Sequence, residues 1–424
     1  MIKAIDILST YFDSFFPSSG KGELRDNRVE RMKNLLATLS NPERSFKAIH
    51  IAGSKGKGST AFFISELLES EGHRTGLYLS PHVYDIRERF TESGEFFSAS
   101  AYLNALDELD DKIKHFKNPV ELGPEKPTTF ELYTAYSYLL FKREGMEYGV
   151  IETGMGGRLD ATNTLSPLFS IITTIEKEHT EVLGSTISAI AKEKAGIIKK
   201  NRPIFVGNTS DEAIEVFKER ANELASPLTL FKDYYSFHEL DGDIIKAKSN
   251  NEDIEIKLPL PSLKEGEDAL LSYMALKKSN LIKSNKLDLS QRWLPGRYEK
   301  VSRFIFDGAH TKESAEALST TIANNESLVD ATLIFSAADG KDIKDMLLTL
   351  IPLFSHIIIS KPEYKESKPE KIYELATSLF PEKDIILITD GKEAVKSATS
   401  HSGLILVTGS FYLVSKIRRA LDEH

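Results

Sequence analysis

The chain has 424 residues, 41% of them hydrophobic and 28% charged, with a formal net charge of −9 and no cysteine. That length favours two or three domains over one, because single hydrophobic cores stop growing at roughly 250–300 residues. The acidic balance argues against nucleic acid as the main partner, and the lack of cysteine excludes disulfides, zinc–thiolate centres and a cysteine nucleophile. Near the amino terminus, Asp6 and Asp13 interrupt the apolar run that a signal peptide needs, and no segment approaches the length of a membrane span. The expectation is a cytoplasmic protein with no membrane partner.

In chain order, the opening reads as helix, loop, helix. Val29, Met32, Leu35 and Leu36 recur at helical spacing until Asn41-Pro42 stops the run. Residues 48–52 form a short buried strand, and a glycine-rich turn covers 53–58. Ala61, Ile64, Leu67 and Leu68 then mark one face of a helix that ends near Gly72. A helix over 129–141 precedes a buried strand at 148–151. A third strand spans 169–175, and 188–198 read as a helix carrying Lys192 and Lys194. The stretch 228–260 changes character: its spaced aromatic and isoleucine residues suggest a small antiparallel excursion. Residues 279–291 are polar and read as an inter-domain connection. Beyond Arg297, strands at 303–306, 332–335, 356–360, 384–388 and 404–408 alternate with helical segments, which calls for a parallel sheet covered on both faces. The class is α/β, with a larger domain over 1–294 and a smaller doubly wound domain over 295–424.

Gly53-Ser-Lys-Gly-Lys-Gly-Ser59 sits between a strand and an amphipathic helix, the setting of a phosphate-binding P-loop. Glycines let backbone N–H groups converge on phosphate oxygens, and the helix points its positive end at them. Lys57 supplies a mobile charge, although Gly58 stands between it and Ser59-Thr60 where the usual pattern has Ser or Thr next to Lys. Glu152 ends the strand Gly149-Val-Ile and opens a loop with three glycines in four residues, at the strand end where α/β sheets bind ligands and P-loop enzymes hold magnesium. His179, beside Glu176 and Glu178, reads more readily as a capping or core residue than as a metal ligand. Lys194, taken alone, reads as a solvated helix lysine. Arg297 ends the connection, and Asp307 and His310 follow a buried strand; Asp307 is open to a second reading as the cap of a helix starting near Thr311.

Seven clusters in order carry a resemblance. They are Ile49–Thr60, Leu79–His82, Glu152–Asn163, His179–Gly184, Glu193–Ile197, Pro295–Arg297 and Asp307–His310. Together they resemble the folylpolyglutamate synthase and dihydrofolate synthase family, a branch of the Mur ligases, over nearly the whole chain. The resemblance implies a P-loop-containing central domain of the Mur ligase type followed by the smaller α/β domain. It implies that ATP is bound by Gly53, Gly56, Lys57, Gly58, Ser59, Thr60, Asp268, Arg297, Asp307 and His310. Two magnesium ions are implied, with Ser80 and Glu152 at the first and His179 at the second, and Lys194 is the lysine that the family carbamylates. Thr128, Thr129, Phe130, Leu159, Asp160 and Ala161 resemble segments lining a pterin site.

The same resemblance implies the reaction, carried by Lys57, Glu152, His179 and Lys194. A folate or dihydropteroate carboxylate attacks MgATP to give an acyl phosphate, and the amine of L-glutamate displaces phosphate, in a monomeric ligase. Departures fall at Ser54-Lys55, at Glu176-Lys-Glu178, at Thr311, and at Ser262–Ala269, where Asp268 replaces an asparagine that contacts adenine. Other readings are a Mur-type ligase acting on a different carboxylate, disfavoured because only 52 residues precede Gly53, and an ATP-binding relative without catalysis.

Overall fold

The computed structural model of the chain describes residues 4–15, 26–249, 252–260, 262–337, 343–362 and 368–422. It divides into two units, 1–292 and 293–424. The first unit is organised by β1 (Lys47–Ala52), β2 (Thr75–Tyr78), β3 (Phe90–Glu92), β4 (Glu95–Phe96), β5 (Tyr148–Glu152), β6 (Phe169–Ile172), β7 (Ile204–Val206) and β8 (Leu228–Leu230). They form one sheet in the order β4-β3-β2-β5-β1-β6-β7-β8. From β2 to β8 across this order the pairings are parallel, and β3 and β4 add an antiparallel edge.

Apart from Lys47, every residue of β1, β5 and β6 is buried, as expected of central strands covered on both faces. Parallel neighbours need crossovers, and helices Lys57–Ser70, Thr129–Arg143, Ile187–Lys194 and Asp211–Glu223 supply them. After β1 the chain first builds towards β2 and β5, then crosses to β6, β7 and β8 on the other side. The carboxyl ends of β1 and β6 therefore flank a switch point, the place where open α/β sheets leave a crevice.

The expected antiparallel excursion is present as β9 (Tyr235–Asp241), β10 (Ile244–Ser249) and β11 (Asp253–Lys257). Residues 250–251 of that stretch lie outside the described residues. Leu228–Leu230 instead belongs to the main sheet, and Phe231–Tyr234 is a single helical turn. The polar stretch 279–291 is more than a connection: it contributes β12 (Lys286–Asp288), paired in parallel with β11. Both flanking side chains of Leu287 are exposed there, so an edge strand reads like a linker in sequence. Helix Leu263–Lys278 follows β11 and runs against Lys57–Ser70, where the Ser272 hydroxyl donates to the Thr60 carbonyl at 3.1 Å.

In the second unit, β13 (Glu299–Val301) pairs antiparallel with β14 (Phe304–Phe306). Then β14, β18 (Ile405–Thr408), β15 (Thr332–Phe335), β16 (His356–Ile359) and β17 (Asp384–Leu387) lie parallel in that order. Two expected boundaries in the first unit move. The strand read over 169–175 ends at Ile172, because Thr173 and Thr174 leave the ladder to bond the glycine-rich loop. The helix read over 188–198 ends at Lys194 and tightens into a 3-10 turn at Ala195–Ile197, where Gly196 lies so close to Arg158 that a Cβ would overlap it.

Candidate active site

β1 delivers the chain to Gly53 at the switch point. Gly53 has φ +153°, and a Cβ there would overlap the Thr173 hydroxyl. Gly56 has φ +79° and touches the Asp268 carboxylate, again leaving no room for a side chain. Helix Lys57–Ser70 starts directly behind it, so the first turn's free N–H groups face the loop. The loop is fastened to the segment after β6. Ser54 N donates to the Thr174 carbonyl at 2.7 Å, the Thr173 hydroxyl donates to Lys55 O at 2.5 Å, and Glu176 N donates to Ser54 Oγ at 3.0 Å. Lys57 Nζ rests on the Ser54 carbonyl at 3.2 Å, half-buried and able to swing out.

Beside this loop lies a charged cluster that sequence spacing could not assemble. Lys194 is 1% exposed; its Nζ donates to Gly53 O at 2.6 Å and to Glu178 Oε1 at 2.7 Å. Burial and the nearby Lys57 charge lower its pKa from 10.5 to about 8, against the opposing pull of Glu178. Burial works to raise the Glu178 pKa, yet Lys57 and Lys194 outweigh it and leave the carboxyl below its usual value. His179 is exposed at φ +46° and opens the short helix Thr180–Leu183. Desolvation lowers its pKa in spite of Glu178 and Glu181. Lys57, Glu178, His179 and Lys194 thus belong to one electrostatic neighbourhood.

Glu152 ends β5 abreast of Ile51, 5% exposed, and Oε2 accepts from Ser80 N at 2.9 Å. Ser80 lies just past β2, so three adjacent strand ends bring Gly53, Ser80 and Glu152 to one edge. The loop after Glu152 is shaped by Asp160. Its carboxylate accepts from Gly154 N, Met155 N, Thr162 N and the Thr162 hydroxyl at 2.6–3.1 Å. Thr162 Oγ1 in turn meets the buried His50 ring at 2.8 Å, and burial pushes that imidazole's pKa down to about 3, so it is neutral. Asp160 and Ala161 are buried, while Leu159 is half-buried.

Thr128 caps helix Thr129–Arg143 in a capping box with Glu131, whose carboxylate also pairs with buried Arg31. The Phe130 ring packs on Gly154, which brings the start of that helix against the Glu152 loop. Thr129 donates to the Phe15 carbonyl at 3.3 Å. Helix Leu263–Lys278 supplies two carboxylates. Glu265 accepts from the Ser59 hydroxyl at 3.0 Å, and Asp268, 3% exposed, lies against Gly56 rather than at a distance from the loop. Gly58 and Thr60 lie within the first turns of the helix behind the loop.

The second unit holds the remaining candidates. Asp307 accepts from Tyr298 N at 2.9 Å and Ala309 N at 2.8 Å; it does not cap the next helix, because Thr311 does so in a capping box with Ser314. Burial raises the Asp307 pKa although Arg297 opposes the shift. Arg297 is exposed with its guanidinium 4.8 Å from the Phe411 ring centre. His310 Nδ1 lies 2.7 Å from the Gly308 carbonyl. Sequence reasoning did not single out Glu178 as the partner of Lys194, Glu265 at Ser59, or the His50–Thr162–Asp160 chain. Only the acidic run at 176–178 gave a signal.

Comparison with known proteins identifies relatives of the chain. The sequence matches the Mur ligase middle domain over residues 51–270 and the dihydrofolate synthetase C-terminal domain over 294–420. The dihydrofolate synthase/folylpolyglutamate synthase of Bacillus subtilis is 30% identical over 413 residues, spanning 92% of this chain and 94% of that protein. A probable dihydrofolate synthetase of Schizosaccharomyces pombe is 31% identical over 93% of this chain and 98% of its own length. Among solved structures, the folylpolyglutamate synthase of Thermotoga maritima superposes with a TM-score of 0.82 at 28% identity, covering 99% of this chain and 96% of that one.

Proposed function

The chain belongs to the folylpolyglutamate synthase and dihydrofolate synthase family of Mur-type ligases, and from that premise we propose the roles its residues take in joining L-glutamate to a folate-type carboxylate. It is an ATP-dependent, ADP-forming carboxylate–amine ligase. The observation that carries the residue assignment is the single strand edge where Gly53, Glu152 and Ser80 meet the Lys57–Glu178–Lys194 cluster.

The Gly53–Ser59 loop and the helix behind it cradle the triphosphate. Lys57 leaves the Ser54 carbonyl for the β- and γ-phosphates, where it offsets charge as the phosphoryl group moves. A substrate carboxylate attacks the γ-phosphorus, ADP leaves, and the resulting acyl phosphate turns a poor acylating agent into a good one. The glutamate amine then attacks the acyl carbon, and phosphate departs carrying one former carboxylate oxygen. The Thr128–Phe130 turn and the Leu159–Ala161 segment flank the Glu152 loop and are proposed to hold the pterin end. Asp160 acts there through the loop it folds, since its carboxylate is engaged with that loop's own N–H and hydroxyl groups. Arg297, Asp307 and His310 are proposed as nucleotide contacts.

Magnesium fits the oxygen donors available: a buried Glu152 carboxylate and the Ser59 and Ser80 hydroxyls supply hard ligands, and Mg²⁺ needs only one or two carboxylates besides phosphate and water. His179, in the electrostatic neighbourhood of Lys57, Glu178 and Lys194, is the candidate for a second ion. When bound, the metal polarises the phosphoryl oxygens. A carbamate on Lys194 fits poorly. Its Nζ faces the Gly53 carbonyl and Glu178, both acceptors, so an anion would be repelled where an ammonium is held. Lys194 is therefore assigned as an ammonium that neutralises Glu178 and steadies the loop. The test is ADP release measured with tetrahydrofolate and with dihydropteroate, each with and without L-glutamate. Turnover that requires glutamate and one of these acceptors supports the assignment, and ATP binding without turnover opposes it.

A further inference from the structure

We propose that Asp330, His356 and His401, in the second unit, bind one divalent transition-metal ion of the zinc type at a site separate from the ligase chemistry. One ligand atom from each of these side chains lies within 4.8 Å of the others. Among the described residues this is the one group of three or more His, Asp or Glu side chains so arranged.

The groups behind the ligands are also in place. His356 Nδ1 faces Asp384 Oδ2 at 3.1 Å, which turns Nε2 towards Asp330 Oδ1 at 3.0 Å. A carboxylate on one ring nitrogen fixes the tautomer and aims the other nitrogen at a metal, the usual support for a ligating histidine. Asp330 is held from its far oxygen: Ser402 N and the Ser402 hydroxyl donate to Oδ2 at 2.7 and 2.6 Å, leaving Oδ1 towards His356. The His401 ring stacks on His356 with centroids 3.5 Å apart and planes 13° from parallel, so a rotation of His401 brings its nitrogen to the same point. All three ligands are partly exposed, which leaves a fourth position to water.

The position separates this group from the crevice. His356 and Asp384 are the first residues of β16 and β17 and face each other in register, while Asp330 precedes β15 and His401 precedes β18. The cluster therefore sits at the amino ends of these strands, and the loop Asp307–His310 leaves the carboxyl end of β14. Two imidazoles and one carboxylate suit zinc, nickel or copper, whereas Mg²⁺ prefers all-oxygen sites and would not compete. An ion here would tie together the entries to four strands, a structural role in the unit's sheet.

The test uses the full chain, stripped with chelator and returned to excess Mg²⁺ so that oxygen sites are filled. Calorimetry with Zn²⁺, and visible absorption with Co²⁺, count and characterise what binds. One equivalent is expected, with the absorption of low-coordinate Co²⁺. H356A and H401A should each weaken it by roughly 100-fold, and Asp384→Asn by roughly 10–100-fold, the scale of a lost supporting carboxylate. His179→Ala should leave it unchanged. Circular dichroism confirms that each variant folds, and H401Q, an exposed conservative change, repeats the test without a cavity. Absence of this equivalent in the wild-type chain, or its persistence in folded H356A and H401A, overturns the proposal.

Discussion

The two sheets end differently at their carboxyl edges. In the first unit the loops after β1 and β6 are bonded to each other, and their union presses Lys194 and Glu178 together beside Lys57. In the second unit the loop after β14 is tied through uncharged backbone groups to Gly296 and to Gly409 after β18, Asp307 holds the Tyr298 and Ala309 N–H groups, and His310 leans on the Gly308 carbonyl. The first edge concentrates charge at the proposed place of phosphoryl transfer, and the second fixes a shape. Removing charge should therefore hurt most in the first unit and least in the second.

The largest effect is expected at Glu152→Gln. The change keeps volume and the Ser80 contact but deletes the charge proposed to hold the metal, so turnover should fall roughly 100–1,000-fold with an unchanged melting curve. Near-normal phosphate release would break the comparison at its centre. Lys194→Met comes next. It strips a charged donor from Gly53 O and Glu178, and a roughly 10–100-fold loss of turnover is expected, the scale of one charged hydrogen bond.

The same lysine gives a pH signature. Its folded pKa of about 8 lies below the ordinary 10.5, so between those values the unfolded chain holds more protons than the folded one. The burial cost of the ammonium is fully present below pH 8 and is relieved as pH rises towards 10.5. The unfolding free energy of the wild type should therefore rise relative to Lys194→Met across that window, which denaturant titrations at several pH values would read. A flat difference would mean that Lys194 is not buried as an ammonium.

Smaller effects sharpen the contrast. Gly56→Ala meets both a φ of +79° and the Asp268 carboxylate, and should cost about 1–2 kcal/mol in stability. Pairing it with Asp268→Ala should recover the steric part and not the backbone part, which thermal melts of the double variant would show. Asp307→Asn, in the second unit, turns an amide NH2 towards one of the two N–H groups and leaves the other only an uncharged acceptor. It should cost about 1 kcal/mol and raise the KM for ATP more than it lowers kcat.

Much of this was legible from sequence because local rules apply. Gly53 and Gly56 announce positions where a side chain does not fit, and the alternation of apolar runs beyond Arg297 announces a parallel sheet. Glu152 could be assigned to a crevice because a strand end has a direction. What escaped depends on contacts between distant segments. Lys194 meets Gly53 across more than a hundred residues and draws Glu178 to it, and Glu265 reaches Ser59 from a helix whose start looked like a mere departure from pattern. β12 was hidden for another reason: an exposed edge strand of three residues carries too few apolar side chains to announce itself.

The most direct measurement follows an oxygen atom. Substrate folate bearing ¹⁸O in the reacting carboxylate is turned over with ATP and L-glutamate, and the released phosphate is weighed by mass spectrometry. Activation at the first unit's strand edge through an acyl phosphate predicts one ¹⁸O per phosphate formed. Phosphate without label, at normal amide yield, would contradict it.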